Sequence, residues 1–360
     1  MYLKRLFTTT LAILATSPLL ADNCNSCDPC DPVEVCNDCT PAFLCGCICD
    51  WCDWENGWSV QADWIYWKVR RCDLDYAIKG PANVDATLEG KYHCVDPSRD
   101  GGFRVAVFKD CGDCWRFGMR YTRFETDAYD SVSSPVEDTN FVATRAFILT
   151  NAAPLVNAVS TYKFDLGAVD LESSYLFRFD CSDVTLRSFT GVRIAFIDQD
   201  IKTKYEYREA IDNDDADTTV DEMMTMDAYG LMFGLESEWD DLWCGVGLYG
   251  KIASILSVTK FEASHLETNV GTEDTFSSQV NVKKRQYLVV PSWEIAVGLE
   301  YKLCPWICAD WDVKLGYEFH SWCNLPDYIN APSSEVKGML TRAKTDLSYE
   351  GLFLRLTGTF

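Results

Sequence analysis

Near its end the chain reads Leu352, Leu354, Leu356, Gly358 and Phe360 on one beat, with Arg355, Thr357 and Thr359 between them. Small and apolar residues face one way, polar residues the other. The same two-residue period returns upstream in segments of about ten residues, as a strand must when one face meets lipid and the other a polar lumen. An amphipathic helix would repeat at 3.6 residues, and a buried parallel strand would be continuously apolar. Neither pattern dominates.

Faces follow directly from the beat. Trp58, Val60, Ala62, Trp64 and Tyr66 share one side of a first strand, opposite Ser59, Gln61 and Asp63. Trp115, Phe117, Met119 and Tyr121 alternate with Arg116, Gly118, Arg120 and Thr122. Trp293, Ile295, Val297, Leu299 and Tyr301 alternate with Glu294, Ala296, Gly298, Glu300 and Lys302. From Ile307 to His320 the alternation is the longest of all. Aromatic residues collect towards strand ends, at Trp58, Trp115, Trp239, Trp243, Trp293, Tyr301 and Trp306. Trp and Tyr favour the headgroup level, where a ring and a polar N–H or O–H are both accommodated.

The pattern predicts an all-β fold, a transmembrane antiparallel β-barrel of about ten strands behind a cysteine-rich N-terminal extension. The strands are expected near 57–69, 101–109, 114–125, 160–170, 184–209, 225–239, 243–261, 284–303, 307–321 and 345–360. A further pair within 70–95 or 141–160 would make twelve. The stretch 171–179 interrupts the beat and reads as a short helix or long turn. Turns at 110–113 and 303–307 are tight, whereas 126–160 and 262–284 are long and polar, the asymmetry of a barrel with short turns on one rim.

The chain divides into 1–21, 22–56 and 57–360. Lys4 and Arg5 followed by an apolar stretch to Leu20 read as an export signal over 1–21, broken by Thr16, Ser17 and Pro18 and too short to span a bilayer. Residues 57–360 carry the barrel. Net charge is −23, with 55 acidic and 32 basic residues, a surface that repels nucleic acid and excludes it as a partner. The acidic block from Asp212 to Glu222 lacks an apolar period and reads as a solvated loop at the mouth.

Residues 22–56 hold Cys24, Cys27, Cys30, Cys36, Cys39, Cys45, Cys47, Cys49 and Cys52, half of the 18 cysteines. Their Cys-x-x-Cys spacings would suit zinc. In an exported chain, with Pro29, Pro32 and Pro41 between them and no histidine near, disulfides are the expected state and no metal or other cofactor is assigned. Nine is odd, so at least one must pair outside the segment, stay free or bridge to another molecule. His93, His265 and His320 are scattered, without ligand spacing, and no P-loop or Gly-x-Ser-x-Gly appears. No catalytic residue is expected, and the chain is read as no enzyme.

Taken together, the segments 58–78, 101–126, 189–201, 229–258, 292–322 and 347–360 resemble the major outer membrane protein-like family of Legionella and chlamydia-related bacteria. The resemblance covers roughly 57–360 and lies in the order of the strands rather than in one motif. It implies an outer-membrane barrel with porin-like activity, and envelope proteins joined by intermolecular disulfides.

The candidate lumen residues are Arg104, Arg116, Arg120, Arg187, Arg193 and Arg355 on early strands and the last, against Glu236, Glu294, Glu300, Asp310, Asp312 and Glu318 on later ones. Opposed charged rows would set a transverse field and select solutes; alternatively the pairs simply fill a narrow barrel. The expected function is passive diffusion of small hydrophilic solutes with weak cation preference. The rival expectation is a structural or adhesive envelope protein with the barrel as anchor. Expected partners are outer-membrane lipid, the barrel-assembly machinery that recognises a terminal aromatic such as Phe360, and disulfide-linked envelope proteins or further copies of the chain.

Overall fold

The computed structural model describes residues 57–81, 90–111, 114–133, 139–146, 155–178, 184–208, 215–243, 245–270, 279–303, 309–326 and 344–360. The export signal and the cysteine-rich segment lie outside these residues.

Thirteen strands are present among the described residues: β1 (Trp58–Arg71), β2 (Asp75–Pro81), β3 (Lys91–Cys94), β4 (Arg99–Cys111), β5 (Trp115–Ser133), β6 (Thr139–Ala143), β7 (Leu155–Arg178), β8 (Val184–Arg208), β9 (Asp215–Trp243), β10 (Val246–Val270), β11 (Gln279–Lys302), β12 (Asp310–Pro326) and β13 (Lys344–Thr359). Ten of them close a barrel in the order β1-β13-β12-β11-β10-β9-β8-β7-β5-β4, every pair antiparallel. Closure removes the free edges that an open sheet would expose to lipid. The first barrel strand begins and the last one ends at one rim, where Trp58 and Phe360 exchange backbone hydrogen bonds of 3.1 and 2.8 Å. The ends of β4, β7, β9 and β11 and the starts of β5, β8, β10 and β12 lie on that same rim, only a few residues apart in sequence, and such short turns mark the periplasmic side. Gly245, at φ +79°, takes the left-handed conformation that the shortest of these turns requires.

Burial alternates as lipid and lumen demand. Along β1, odd positions are buried and Trp58, Val60 and Trp64 are exposed. Leu231, Val258, Val289, Val297, Leu315 and Leu354 continue the exposed apolar band around the barrel. Above it the outward residues turn polar, with Asp165, Asp198, Lys202, Lys260 and Arg285 in place of leucine and valine. Strands β7 to β11 therefore rise beyond the membrane on the long-loop side.

Several expectations change. Of the stretches 126–160 and 262–284, expected as long loops, 126–133, 155–160, 262–270 and 279–284 are barrel strand. The extra strands within 70–95 and near 141–160 exist as β2, β3 and β6, but they do not enlarge the barrel. They form a separate sheet, β3-β2-β6, which caps the barrel at its long-loop end. Residues 171–178 are neither helix nor turn, because β7 runs on to Arg178 with Ser173 paired to Phe117 and to Thr190. The described part of the acidic block belongs to β9: Asp217 and Asp221 pair outward with Lys204 and Lys202, while Glu222 points inward and is 2% exposed.

Candidate functional site

The inward faces of the ten strands fill the lumen in layers. Alternation puts Asp63, Arg104, Arg193, Lys251, Glu294, Lys314, Glu318 and Arg355 inside while their chain neighbours face lipid. At this height Asp63 accepts hydrogen bonds from Arg355 at 2.9 and 3.0 Å and from Arg104 at 2.9 Å. Arg104 also reaches Glu318 at 3.0 Å, and Trp67 Nε1 donates to the same carboxylate at 2.9 Å. Arg193 forms a two-pronged pair with Asp170 at 2.6 and 2.7 Å and a further one with Glu294. Lys314 joins Glu238 and Glu300. Such two-pronged guanidinium–carboxylate contacts fix geometry as well as charge.

On the long-loop side of the ion pairs lies an aromatic layer. Trp67 contacts Phe124, His320 and Tyr349 with ring centres 5.3, 5.0 and 4.8 Å apart. His320 stacks on Tyr349 at 4.7 Å and lies between Glu294 and Glu318 at 3.2 and 3.5 Å. Phe164 completes this layer. Higher still, Arg71 bonds Gln199 at 2.8 Å and Asp73 at 2.7 Å.

The cap is fastened to the wall by polar contacts. Arg145, just after β6, reaches Glu222 and the backbone oxygens of Asp73 and Asp75. Burial works against the Arg145 charge, but Glu222 and Asp73 outweigh it and raise its pKa. Tyr205 donates to the Tyr76 carbonyl at 2.7 Å, and Tyr76 donates to Asp130 at 3.0 Å. Burial and that bond together raise the Tyr76 pKa, so it stays a donor. His265, fully buried, sits 2.9 Å from Glu222 and 3.7 Å from Glu267.

The sequence-derived residues distribute unevenly. Arg104, Arg193, Arg355, Glu294 and Glu318 converge in the midplane cluster, with Arg120 beside them and paired to Glu172 at 3.5 Å. Arg116 binds Asp110 at 2.6 Å near the periplasmic rim, where Arg187 stands opposite Glu236 in register. Glu300 and Asp312 face the lumen near the same end, beside Lys314. Asp310 does not join them: it is exposed at the start of β12. The rows of opposite sign do not face each other unneutralised, because Asp63 and Asp170 on early strands take up the arginines. Asp63, Asp170, Lys251, Lys314 and His320 are not among the candidate lumen residues read from sequence, although the alternation that places Arg104 inside also places them there. Arg145 and Glu222 had no such signal, since a loop and a strand far apart in sequence bring them together.

A family model described as the Legionella pneumophila major outer membrane protein precursor matches residues 52–359. The chain belongs to this family. It is thus a protein of the outer membrane, as its closed barrel and lipid-facing band require. Curated proteins gave no match. Among solved structures, similarity was found to the outer membrane protease OmpT of Escherichia coli, at 10% identity and a TM-score of 0.43, over 84% of this chain and 95% of that one. A major outer membrane protein of Thermus thermophilus matches at 12% identity and 0.25, over 85% and 100%. The Pseudomonas putida toluene transporter TodX matches at 8% and 0.26, over 84% and 89%.

Proposed function

We propose that this protein is a structural component of the outer membrane, a non-enzymatic barrel closed at rest that anchors a cysteine-rich periplasmic segment. The filled lumen carries the proposal. A diffusion pore needs an aqueous path, whereas here Asp63, Arg104, Arg355, Glu318 and Trp67 interlock across the midplane. A barrel of few strands has an interior that side chains can fill, which agrees with a closed state.

The placement of cysteines supports the anchoring role. Cys111 ends β4 and Cys114 precedes β5 on the periplasmic rim. Cys181, Cys244, Cys304 and Cys308 lie outside the described residues, in the sequence between β7 and β8, β9 and β10, and β11 and β12. The segment with nine cysteines precedes Trp58 in the sequence. Of the described cysteines, Cys111 and Cys114 lie at this rim and Cys72, Cys94 and Cys323 towards the other end; thiols of an exported protein suit disulfides, here to neighbouring envelope proteins. Non-reducing gels of whole envelopes test this: high-mass species that collapse on reduction are expected, and a monomer indifferent to reductant would overturn it.

One observation favours a second reading, passive diffusion of small hydrophilic solutes with weak cation preference. Burying many ion pairs costs desolvation that an apolar filling would avoid, so a polar lumen points to traffic of ions or water. Swelling of liposomes in small sugars distinguishes the two, because the structural reading expects none.

A further inference from the structure

A cavity of about 20 Å³ interrupts the packing of the lumen at the height of the lipid band. Five cationic side chains line it, Arg104, Arg120, Arg193, Lys251 and Arg355. Three of these are engaged by close carboxylates: Arg104 by Asp63 and Glu318, Arg355 by Asp63, and Arg193 by Asp170 and Glu294. The other two are held loosely. Arg120 is 4% exposed, approaches Glu172 only at 3.5 Å, and its Nε has no hydrogen-bond partner. Lys251 Nζ stands 3.5 Å from Glu294. Both separations exceed the ~2.7–3.2 Å of a good N–H···O bond. A buried cationic donor left without an acceptor is costly enough to be rare.

We propose that this cavity binds one small monovalent anion of halide size, held by Arg120 Nε and Lys251 Nζ. Size, sign and hydrogen-bond capacity all point there. The volume exceeds the ~10–15 Å³ that a single water-sized guest occupies, and leaves no room for a large oxyanion. Glu294 and Glu318 are the carboxylates of the lining, and with Asp63 and Asp170 they take up Arg104, Arg193 and Arg355, which leaves Arg120 and Lys251 with no carboxylate contact closer than 3.5 Å. A water molecule would accept from Arg120 but would also have to donate two hydrogens. Of the carboxylates in the lining, Glu318 already accepts from Trp67 and Arg104 and Glu294 Oε1 from Arg193, so a second hydrogen of water would have to go beyond the lining, to Glu172 Oε2, which has no hydrogen-bond partner. An anion only accepts. Such a site would oppose, at the midplane, the cation attraction of the acidic surface.

Refolded full-length protein in detergent at constant ionic strength supplies the test. Its Tm is measured in sodium chloride, bromide and gluconate, and bromide-soaked crystals are examined for anomalous scattering. The expected result is a saturable rise in Tm with chloride or bromide but not gluconate, and a bromide peak between Arg120 and Lys251. Arg120→Gln should abolish the halide response. If that variant does not fold, the measurements on the unmodified chain decide. Equal Tm in chloride and gluconate, or no bromide at the cavity, overturns the proposal and leaves a water site.

Discussion

At the scale of single residues the two faces of each strand obey different rules. Val297 and Leu315 face lipid at 57% and 54% exposure. Arginine at either is expected to cost ~2–4 kcal/mol near the bilayer midplane, which urea titration of the protein refolded into vesicles would measure. An equal tolerance on lumen positions would contradict the face assignment. The lumen is not uniformly lenient, however. Gly298 is paired with Gly316, and a Cβ on Gly298 would meet the Leu315 oxygen at 2.6 Å. At Gly316 a Cβ would meet the Val297 oxygen at 2.3 Å and the Phe353 ring at 2.7 Å. Alternation alone marks Gly298 as a mild site for arginine; the close approach of β11 and β12 reverses that. Asp63→Ala should be worse, since it strands Arg355 in a buried cluster and leaves Arg104 with Glu318 alone. Breaking such a pair from one side costs ~3–5 kcal/mol. The same titration reads it, and a loss below ~1 kcal/mol would mean that water already screens the cluster.

At the scale of elements, most of the barrel strands were legible because a period of two is imposed by solvents on both faces. The failures share a cause. Around Ser173 and Leu176 the beat is blurred near the periplasmic rim, where neither face is fully lipid or fully lumen, and neighbouring ladders hold β7 straight instead. The acidic residues of early β9 read as a loop because an extramembrane strand is polar outside; Glu222 is polar inside as well, matched by Arg145. Strands β2, β3 and β6 are short, and only their pairing across two loops makes a sheet. Contacts of that kind leave no local period. The cap should depend on its latch: Glu222→Gln is predicted to speed amide exchange in residues 72–98 and 139–146. Protection in β12 and β13 should stay unchanged. Uniform exchange across both regions would show that the cap and barrel open as one unit.

At the scale of the whole molecule, ten strands, antiparallel closure and rim asymmetry agree with the reading of the chain, while the state of the lumen does not follow from it. Alternation shows which charges face inward, but whether Arg355 lies against Asp63 or across an open channel depends on barrel width and stagger. Those are set by register, which alternation does not specify. The midplane cluster and the aromatic layer around Trp67 and Tyr349 close the passage independently of the cap. Single-channel recording in planar bilayers, on purified refolded full-length protein, tests this most directly. The account predicts no stable steps of porin size, and at most small conductances, in the unmodified chain and in Glu222→Gln alike. Discrete, long-lived openings of the unmodified protein that admit small sugars would contradict it.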